Sequence, residues 1–276
     1  MSHGLSEVLS TKVDSLVLVD QIEMTRQDLG KLSDFSVTMY GPTNPTDQQT
    51  VAKQDTMTGS RLRRASTNRQ QGLLLVKLAA YVGNKIGGPI NILELGTAAG
   101  ISGMYMLTGM ASRLGGCLVT LEGSHELAAI AERNFRDFVT GNRLDQVNYR
   151  IVVGDFDETL QEYLRSLQTP LHLTFIDGNH RKEPTIRYHE LIRSAMDERG
   201  VIVHDDIAWS EGMSQAWHQI QQMEGVGKTA ELLLGNRPSR GLVFLDADPH
   251  SNLEVLSLDN AFERYIRQVK RWLVRF

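Results

Sequence analysis

The sequence predicts an α/β fold, a doubly wound sheet of seven mostly parallel strands in which the last strand is antiparallel. Short apolar runs recur through the middle of the chain, and helical patterns fill the first gaps between them. Several of these runs end in glycine or in an acidic residue. The candidate strands are residues 90–95, 117–121, 149–153, 171–176, 200–204, 229–234 and 241–245.

Composition narrows the class of protein. The chain has 276 residues, of which 41% are apolar, enough for one α/β domain with additions. Its net charge of −4 argues against broad binding of nucleic acid. Because Cys117 is the single cysteine, an internal disulfide is excluded and a structural zinc site is disfavoured. The sequence shows no signal-peptide pattern and no apolar run of membrane-spanning length, so we expect a cytoplasmic protein that does not contact membranes.

The first candidate strand leads into a glycine turn and then a helical pattern. Gly96 ends the strand and Gly100 follows four residues later, where backbone N–H groups can bind a nucleotide-like ligand. A dinucleotide site would need glycine at position 98, where this chain has Ala98. Glu94, inside the strand, would repel a pyrophosphate but could pair with a cationic ligand. The alternative is a tight turn in a Rossmann-like domain of another kind.

The next two strands also end in acidic residues. Glu122, followed by Gly123, ends the second strand and is placed to accept hydrogen bonds from two ribose hydroxyls. Asp155 follows the third strand and could accept from an adenine amino group, while Phe156 could pack near the ring. Any one of these acids could be a plain surface carboxylate. Their position at successive strand ends favours a ligand site, because open sheets bind ligands there.

The fourth and fifth strands bring further acids to the same edge. Asp177 ends the fourth strand, and Asp205 and Asp206 end the fifth. Three carboxylates so close repel one another, and Mg²⁺ would relieve the repulsion and could activate a substrate hydroxyl. One or more of these acids could instead cap a helix or pair with a basic neighbour. His180 lies in a glycine-containing loop at a strand end and could act as a general base, although a lone histidine is more often structural.

Four motifs carry a resemblance to a known family: Leu93-Glu94-Leu95-Gly96, Leu121-Glu122, Phe175-Ile176-Asp177 and Asp205-Asp206. Together they resemble class I S-adenosylmethionine (SAM) methyltransferases of the catechol and caffeoyl-CoA O-methyltransferase type, over roughly residues 90–246. The string from Phe175 to Pro184 is similar to that of a group of uncharacterised bacterial methyltransferases.

The resemblance implies a metal site formed by Asp177, Asp205 and Asp206, and it places Ser102 against the cofactor carboxylate. His180 stands where the catechol enzymes have a lysine, and Asp206 where the family has asparagine. The SAM-binding residues would be Glu94, Gly96, Gly100, Ser102, Glu122, Gly123, Asp155, Phe156 and Asp177.

The sequence therefore predicts a SAM-dependent O-methyltransferase that acts on a hydroxyl of a small molecule, with SAM and Mg²⁺ as cofactors and His180 and Asp177 as catalytic residues. The alternatives are a metal-independent methyltransferase and a SAM-binding protein without methyl transfer. A methyltransferase of nucleic-acid bases is disfavoured, because Asp177-Gly178 stands where the Asn/Asp-Pro-Pro-aromatic loop of amino-directed enzymes is expected.

Three regions are predicted along the chain: an N-terminal helical extension and lid at 1–75, the methyltransferase domain at 76–248, and a C-terminal helix at 249–276. Apolar stripes run along the predicted helices at 4–32 and from Ala261 to Leu273. We expect one or both stripes to be buried in a homodimer, and the rival is packing onto the chain's own core.

Two further features have open interpretations. Residues 51–70 are predicted to be irregular, and their cluster of Arg61, Arg63 and Arg64 is either solvated or part of a lid that touches the cofactor or an anionic substrate. Trp209 and Trp217 could wall an aromatic acceptor pocket or pack in helices.

Overall fold

The computed structural model describes residues 16–32, 35–38, 54–234, 237–246 and 254–257. Its N-terminal part consists of helix α1 (Leu16–Asp28), a 3-10 turn (Leu29–Lys31), the antiparallel strands β1 (Phe35–Thr38) and β2 (Gln54–Met57), and helix α2 (Gly59–Ala65).

The prediction that residues 51–70 are irregular is wrong for the described part of that range, which holds β2 and α2. The local reason is a helix cap: the Thr58 hydroxyl accepts a hydrogen bond from the Arg61 backbone N–H at 3.2 Å and starts α2. Residues 4–15 of the predicted N-terminal helix lie outside the described residues.

The central sheet has eight strands among the described residues, in the order β10-β8-β9-β7-β6-β3-β4-β5. Only β9 runs antiparallel to its neighbours there. The bounds are β3 (Ile90–Leu95), β4 (Gly116–Glu122), β5 (Val147–Val153), β6 (Leu171–Ile176), β7 (Met196–His204), β8 (Lys228–Leu234), β9 (Arg237–Phe244) and β10 (Glu254–Ser257).

The seven predicted strands correspond to β3–β9, and the predicted antiparallel strand, β9, is confirmed. The eighth strand, β10, pairs in parallel with β8. It lies in the range 249–276 predicted to be helical, so the helix prediction is wrong for residues 254–257. The apolar stripe from Ala261 to Leu273 lies outside the described residues.

Helices cover both faces of the sheet, as a doubly wound fold requires. Beside α1, they are α3 (Arg69–Ile86), α4 (Ile101–Ala111), α5 (His125–Gly141), α6 (Phe156–Ser166), α7 (Lys182–Arg193) and α8 (Glu211–Gln221). Buried side chains of α1, α3, α4 and α5 form one core, and those of α6, α7 and α8 form the other. None of the described helices is long and apolar enough to cross a membrane.

The described part of the N-terminal helix packs onto the chain's own core. Val19 and Ile22 of α1 are fully buried in the core that α3 and α4 form. For residues 16–28 this supports packing onto the chain's own core, the alternative to a dimer contact. The predicted dimer contact would then have to involve segments outside the described residues.

The five strands β3 to β7 run parallel, so their carboxyl ends meet at one edge of the sheet. Backbone hydrogen bonds continue past the strand ends there. The Asp177 N–H donates to the Leu95 carbonyl at 2.9 Å, and the Asp205 N–H donates to the Ile176 carbonyl at 2.9 Å. The topology thereby brings the acids at the strand ends side by side.

Candidate active site

The glycine turn after β3 has a backbone that restricts its residues. Gly96 has a φ of 97°, and a Cβ at this position would overlap the carbonyl oxygen of Asp177 on the neighbouring strand. Ala98 has a φ of 46°, and Gly100, with a φ of 82°, begins α4. The turn therefore fits tightly against the end of β6, with the first N–H groups of α4 beside it.

Glu94 lies beneath this turn, fully buried. Its carboxylate accepts hydrogen bonds from the Ser102 hydroxyl and, at 2.7 Å, from the Thr120 hydroxyl. Burial raises the pKa of Glu94 to about 7, against the opposing effect of these two hydrogen bonds. The two residues predicted to contact the charged end of the cofactor thus bind each other under the turn.

Glu122 closes the turn from the second strand. Its two carboxylate oxygens accept from the Ala98 N–H at 2.7 Å and from the Ser124 N–H at 2.8 Å. Burial raises the pKa of Glu122, while the backbone N–H groups of Ser124, Ala98 and Gly123 oppose that shift. Each carboxylate oxygen accepts more than one hydrogen bond, so ribose hydroxyls can still bind.

Asp155 and Phe156 lie where the third strand passes into α6. Asp155 caps the helix by accepting from the Asp157 N–H at 2.8 Å. The ring of Phe156 lies against Gly178, where a Cβ would overlap the ring, and it contacts Tyr188 edge-on at a centroid distance of 6.4 Å. Gly178 therefore admits Phe156 next to the end of β6.

Asp177, His180 and Asp206 form a half-buried cluster. The Nε2 atom of His180 lies 3.5 Å from Asp177 Oδ1 and 4.0 Å from Asp206 Oδ2. The pKa of Asp177 is raised well above its usual range by burial and by the negative charge of Asp205, while Arg240 opposes the shift. Burial and Asp205 also raise the pKa of Asp206, and His180 opposes this. A histidine between two such carboxyls is in position to take and return a proton.

Asp205 differs from the metal-ligand prediction because it is paired with Arg240. The guanidinium donates from Nε to Oδ1 at 2.9 Å and from Nη2 to Oδ2 at 3.2 Å, so both carboxylate oxygens bind the same cation. A divalent ion about 5 Å from that guanidinium would be repelled by about 7 kcal/mol at an effective dielectric constant of about 20.

The metal site predicted at Asp177, Asp205 and Asp206 therefore does not fit the side-chain arrangement. Among the residues that the structure describes, no group of three or more His, Cys, Asp or Glu side chains is arranged to hold a metal ion. The physical reason is that both carboxylate oxygens of Asp205 are bound by an arginine of this chain.

Sequence reasoning missed Arg240 as a site residue. It lies in β9, is fully buried, and also donates from Nη1 to the Gln71 carbonyl at 2.8 Å and from Nη2 to the Thr67 hydroxyl at 3.3 Å. Its guanidinium lies over the Phe175 ring at 4.7 Å. The sequence contained one indication of this role, since Arg240 stands directly before the apolar run 241–245. An arginine buried with such a strand needs a fixed anionic partner.

The two tryptophans that were predicted either to wall an acceptor pocket or to pack in helices lie in different environments. Trp209 is 72% exposed in the loop after Asp206, whereas Trp217 is buried and donates to Glu231 at 2.7 Å. Trp217 therefore packs in α8, and only Trp209 remains a candidate for acceptor contact.

The predicted arginine cluster lies on α2, where Arg61 and Arg64 are exposed. The Arg63 carbonyl accepts from Arg26 of α1 at 3.1 Å. The exposure of Arg61 and Arg64 agrees with the solvated interpretation, and the lid role stays a prediction.

Comparison with known proteins agrees with this fold. Residues 93–207 match the model of a family described as a methyltransferase domain. The structure is similar to an O-methyltransferase from Bacillus cereus solved in complex with SAH, with 21% identity, a TM-score of 0.53, and coverage of 87% of this chain and 94% of that one. It is also similar to the O-methyltransferase TomG from Streptomyces achromogenes, involved in tomaymycin synthesis and solved with SAM, with 19% identity, a TM-score of 0.53, and coverage of 66% and 82%.

A search of curated protein sequences finds no significant match. The resemblance to methyltransferases predicted from the sequence is confirmed by the domain match over residues 93–207, and the predicted doubly wound fold by the structural similarity.

Proposed function

We propose that this protein transfers the methyl group of SAM to a hydroxyl of a small molecule, with His180 as general base. The observation that carries the proposal is the convergence of Glu122, Asp155 and Asp177 at three strand ends around the turn at Gly96, with His180 beside Asp177. Bound SAM supplies an electrophilic methyl group on a sulfonium.

The cofactor contacts follow from the fixed side chains. Glu122, held by two backbone N–H groups, accepts from the ribose hydroxyls. Asp155 accepts from the adenine amino group, and Phe156 packs beside the ring. Glu94 and Ser102 position the glycine turn from below, and Gly96, Gly100 and Gly123 let the backbone approach the ligand.

The reaction needs a base next to the acceptor oxygen. His180 Nε2 faces Asp177 and Asp206, and no described residue forms a hydrogen bond with Nδ1, so Nδ1 is available to a substrate hydroxyl. The hydroxyl oxygen attacks the methyl carbon in line, the new C–O bond forms as the C–S bond breaks, and the proton passes to His180. Asp177 Oδ1, 3.5 Å from Nε2, positions the ring for this transfer.

The predicted Mg²⁺ is not part of this proposal, because Asp205 is bound to Arg240. The homodimer expected from the sequence is kept as a proposal, which rests on the apolar stripe from Ala261 to Leu273. A SAM-binding protein without methyl transfer remains the second candidate, since binding of SAM requires only the acids of the first three strands.

The test combines cofactor binding with transfer. Isothermal titration should show binding of SAM and SAH, and methyl-labelled SAM should transfer label to members of a panel of phenols and hydroxy acids. A His180→Ala variant should bind SAM as the wild type does and lose about 10²–10⁴-fold in turnover. The matched control is His218→Ala, an exposed histidine on α8.

Failure to bind SAM would refute the proposal. Binding of SAM without transfer to any panel member would favour the second candidate. An unchanged rate in His180→Ala would remove the histidine from its role as base.

A further inference from the structure

Arg240 supplies a cation at the sheet edge where Asp177, Asp205 and Asp206 were predicted to bind a divalent ion. Asp205, which is nearly buried, has both of its carboxylate oxygens bound by the fully buried guanidinium. The remaining contacts of the guanidinium are the Gln71 carbonyl, the Thr67 hydroxyl and the face of Phe175. The cation is therefore fixed by four separate groups of the chain.

A guanidinium in this position balances the negative charge of Asp205, which is one of the effects that a bound metal ion would have. Arginine is the cation best suited to buried ion pairs, because its planar guanidinium binds both oxygens of a carboxylate. Its charge also opposes, without reversing, the rise in pKa that burial and Asp205 cause at Asp177 and Asp206. Unlike a metal ion, it has no open coordination positions that could take two oxygens of a substrate.

We propose that Arg240 is a built-in replacement for the divalent cation, so that methyl transfer proceeds without metal and a single acceptor hydroxyl is sufficient. A metal-dependent site of this kind holds two neighbouring oxygens of its acceptor on the ion. Here His180 binds the acceptor hydroxyl, so a second, chelating oxygen is not required. The inference has two parts. The transfer step, methyl transfer to a single hydroxyl without metal, rests on the proposed function. The metal step, the absence of a divalent-cation site at this edge, rests on the Asp205–Arg240 pair alone.

The metal step is tested by titration of Mn²⁺, followed by its electron paramagnetic resonance signal, into the full-length protein with SAH. The wild type should show no saturable site at this edge. Arg240→Gln frees Asp205 next to Asp177 and Asp206 and should create a site, with an apparent Kd for Mn²⁺ at least about tenfold lower. Arg240→Lys, which keeps a cation, and the double variant Arg240→Gln/Asp205→Asn should both show no gain.

Removal of one partner of a buried ion pair is destabilising, so the single Arg240→Gln variant can fail to fold. The double variant removes both charges and is the folded comparison. If the single variant does not fold, the titration of the wild type decides the question alone. Saturable Mn²⁺ binding by the wild type that is lost in Asp206→Asn would overturn the inference.

The transfer step is tested on the wild type with methyl-labelled SAM and two acceptors, phenol and catechol, with and without excess EDTA. Equal rates with and without EDTA, and labelling of phenol within about tenfold of catechol, are expected. Loss of transfer in EDTA that Mg²⁺ restores would overturn the inference. Absence of transfer to either acceptor and to the rest of the panel would refute the proposed function, while the Mn²⁺ titration still decides the metal step.

Discussion

The unfolding free energy of a Glu94→Gln variant, relative to that of the wild type, should increase as the pH rises. Glu94 is fully buried, and burial raises the pKa of its carboxyl from 4.5 to about 7. Between these two values the folded state binds more protons than the unfolded state. The free energy of unfolding contributed by this group is therefore at its highest at low pH and is lost as the pH rises through about 7.

The magnitude follows from the size of the shift. One pKa unit corresponds to about 1.4 kcal/mol, and integration between pH 5 and pH 8.5 gives a loss of about 2–3 kcal/mol for the wild type. Glutamine has the same shape and does not ionise. The hydroxyls of Ser102 and Thr120 both donate and accept, so they can bond to an amide as well as to a carboxyl.

The assay is urea unfolding of the wild type and Glu94→Gln at pH 5 and at pH 8.5. The difference in unfolding free energy between variant and wild type should shift in favour of the variant by about 2–3 kcal/mol across this range. Glu162→Gln, at an exposed position of α6, is the control and should show no such shift. A pH-independent difference for Glu94→Gln would refute the reasoning, because it would mean that Glu94 titrates alike in both states.

Three further outcomes are expected. Glu122→Ala should weaken SAM binding by about 30- to 150-fold in titration, since it removes charge-assisted hydrogen bonds worth about 2–3 kcal/mol, and unchanged affinity would remove this residue from the site. Gly178→Ala should displace the Phe156 ring and weaken SAM binding by about tenfold while circular dichroism stays unchanged; wild-type affinity would show that the ring does not contact the cofactor. Light scattering at micromolar concentration should report a dimer that deletion of residues 258–276 converts to a monomer, and a monomeric full-length chain would show that the stripe packs onto its own core.

Strand positions could be predicted from the sequence where burial is complete. The predicted fourth strand, 171–176, coincides with β6 because its residues are buried without a break. β7 begins at Met196 and β9 at Arg237, each four residues before its predicted start. The early parts of both strands are polar, and their pairing is made by backbone hydrogen bonds that leave no hydrophobic signal.

The acids of the candidate site could be predicted because parallel strands deliver their carboxyl ends to one edge. The partners of those acids could not. Arg240 reaches Asp205 across 35 residues of sequence, through an antiparallel strand whose order in the sheet no local pattern shows. The same holds for Ser102 and Glu94, which bond to each other, while their predicted cofactor contacts stay predictions.

The bonds from Arg240 to Thr67 and Gln71 fasten the corner between α2 and α3 to the sheet. Gln71 adds a second attachment to β9 through the Ser239 hydroxyl at 3.0 Å. The corner is thereby fixed to the sheet, and α2 is fixed on its other side by the bond from Arg26 to the Arg63 carbonyl. An insertion between Ser66 and Thr67 would lengthen the connection to α2 and leave the acids in place. An insertion between Thr67 and Gln71 would change the spacing of the two residues that bind Arg240, and so would disturb its ion pair with Asp205.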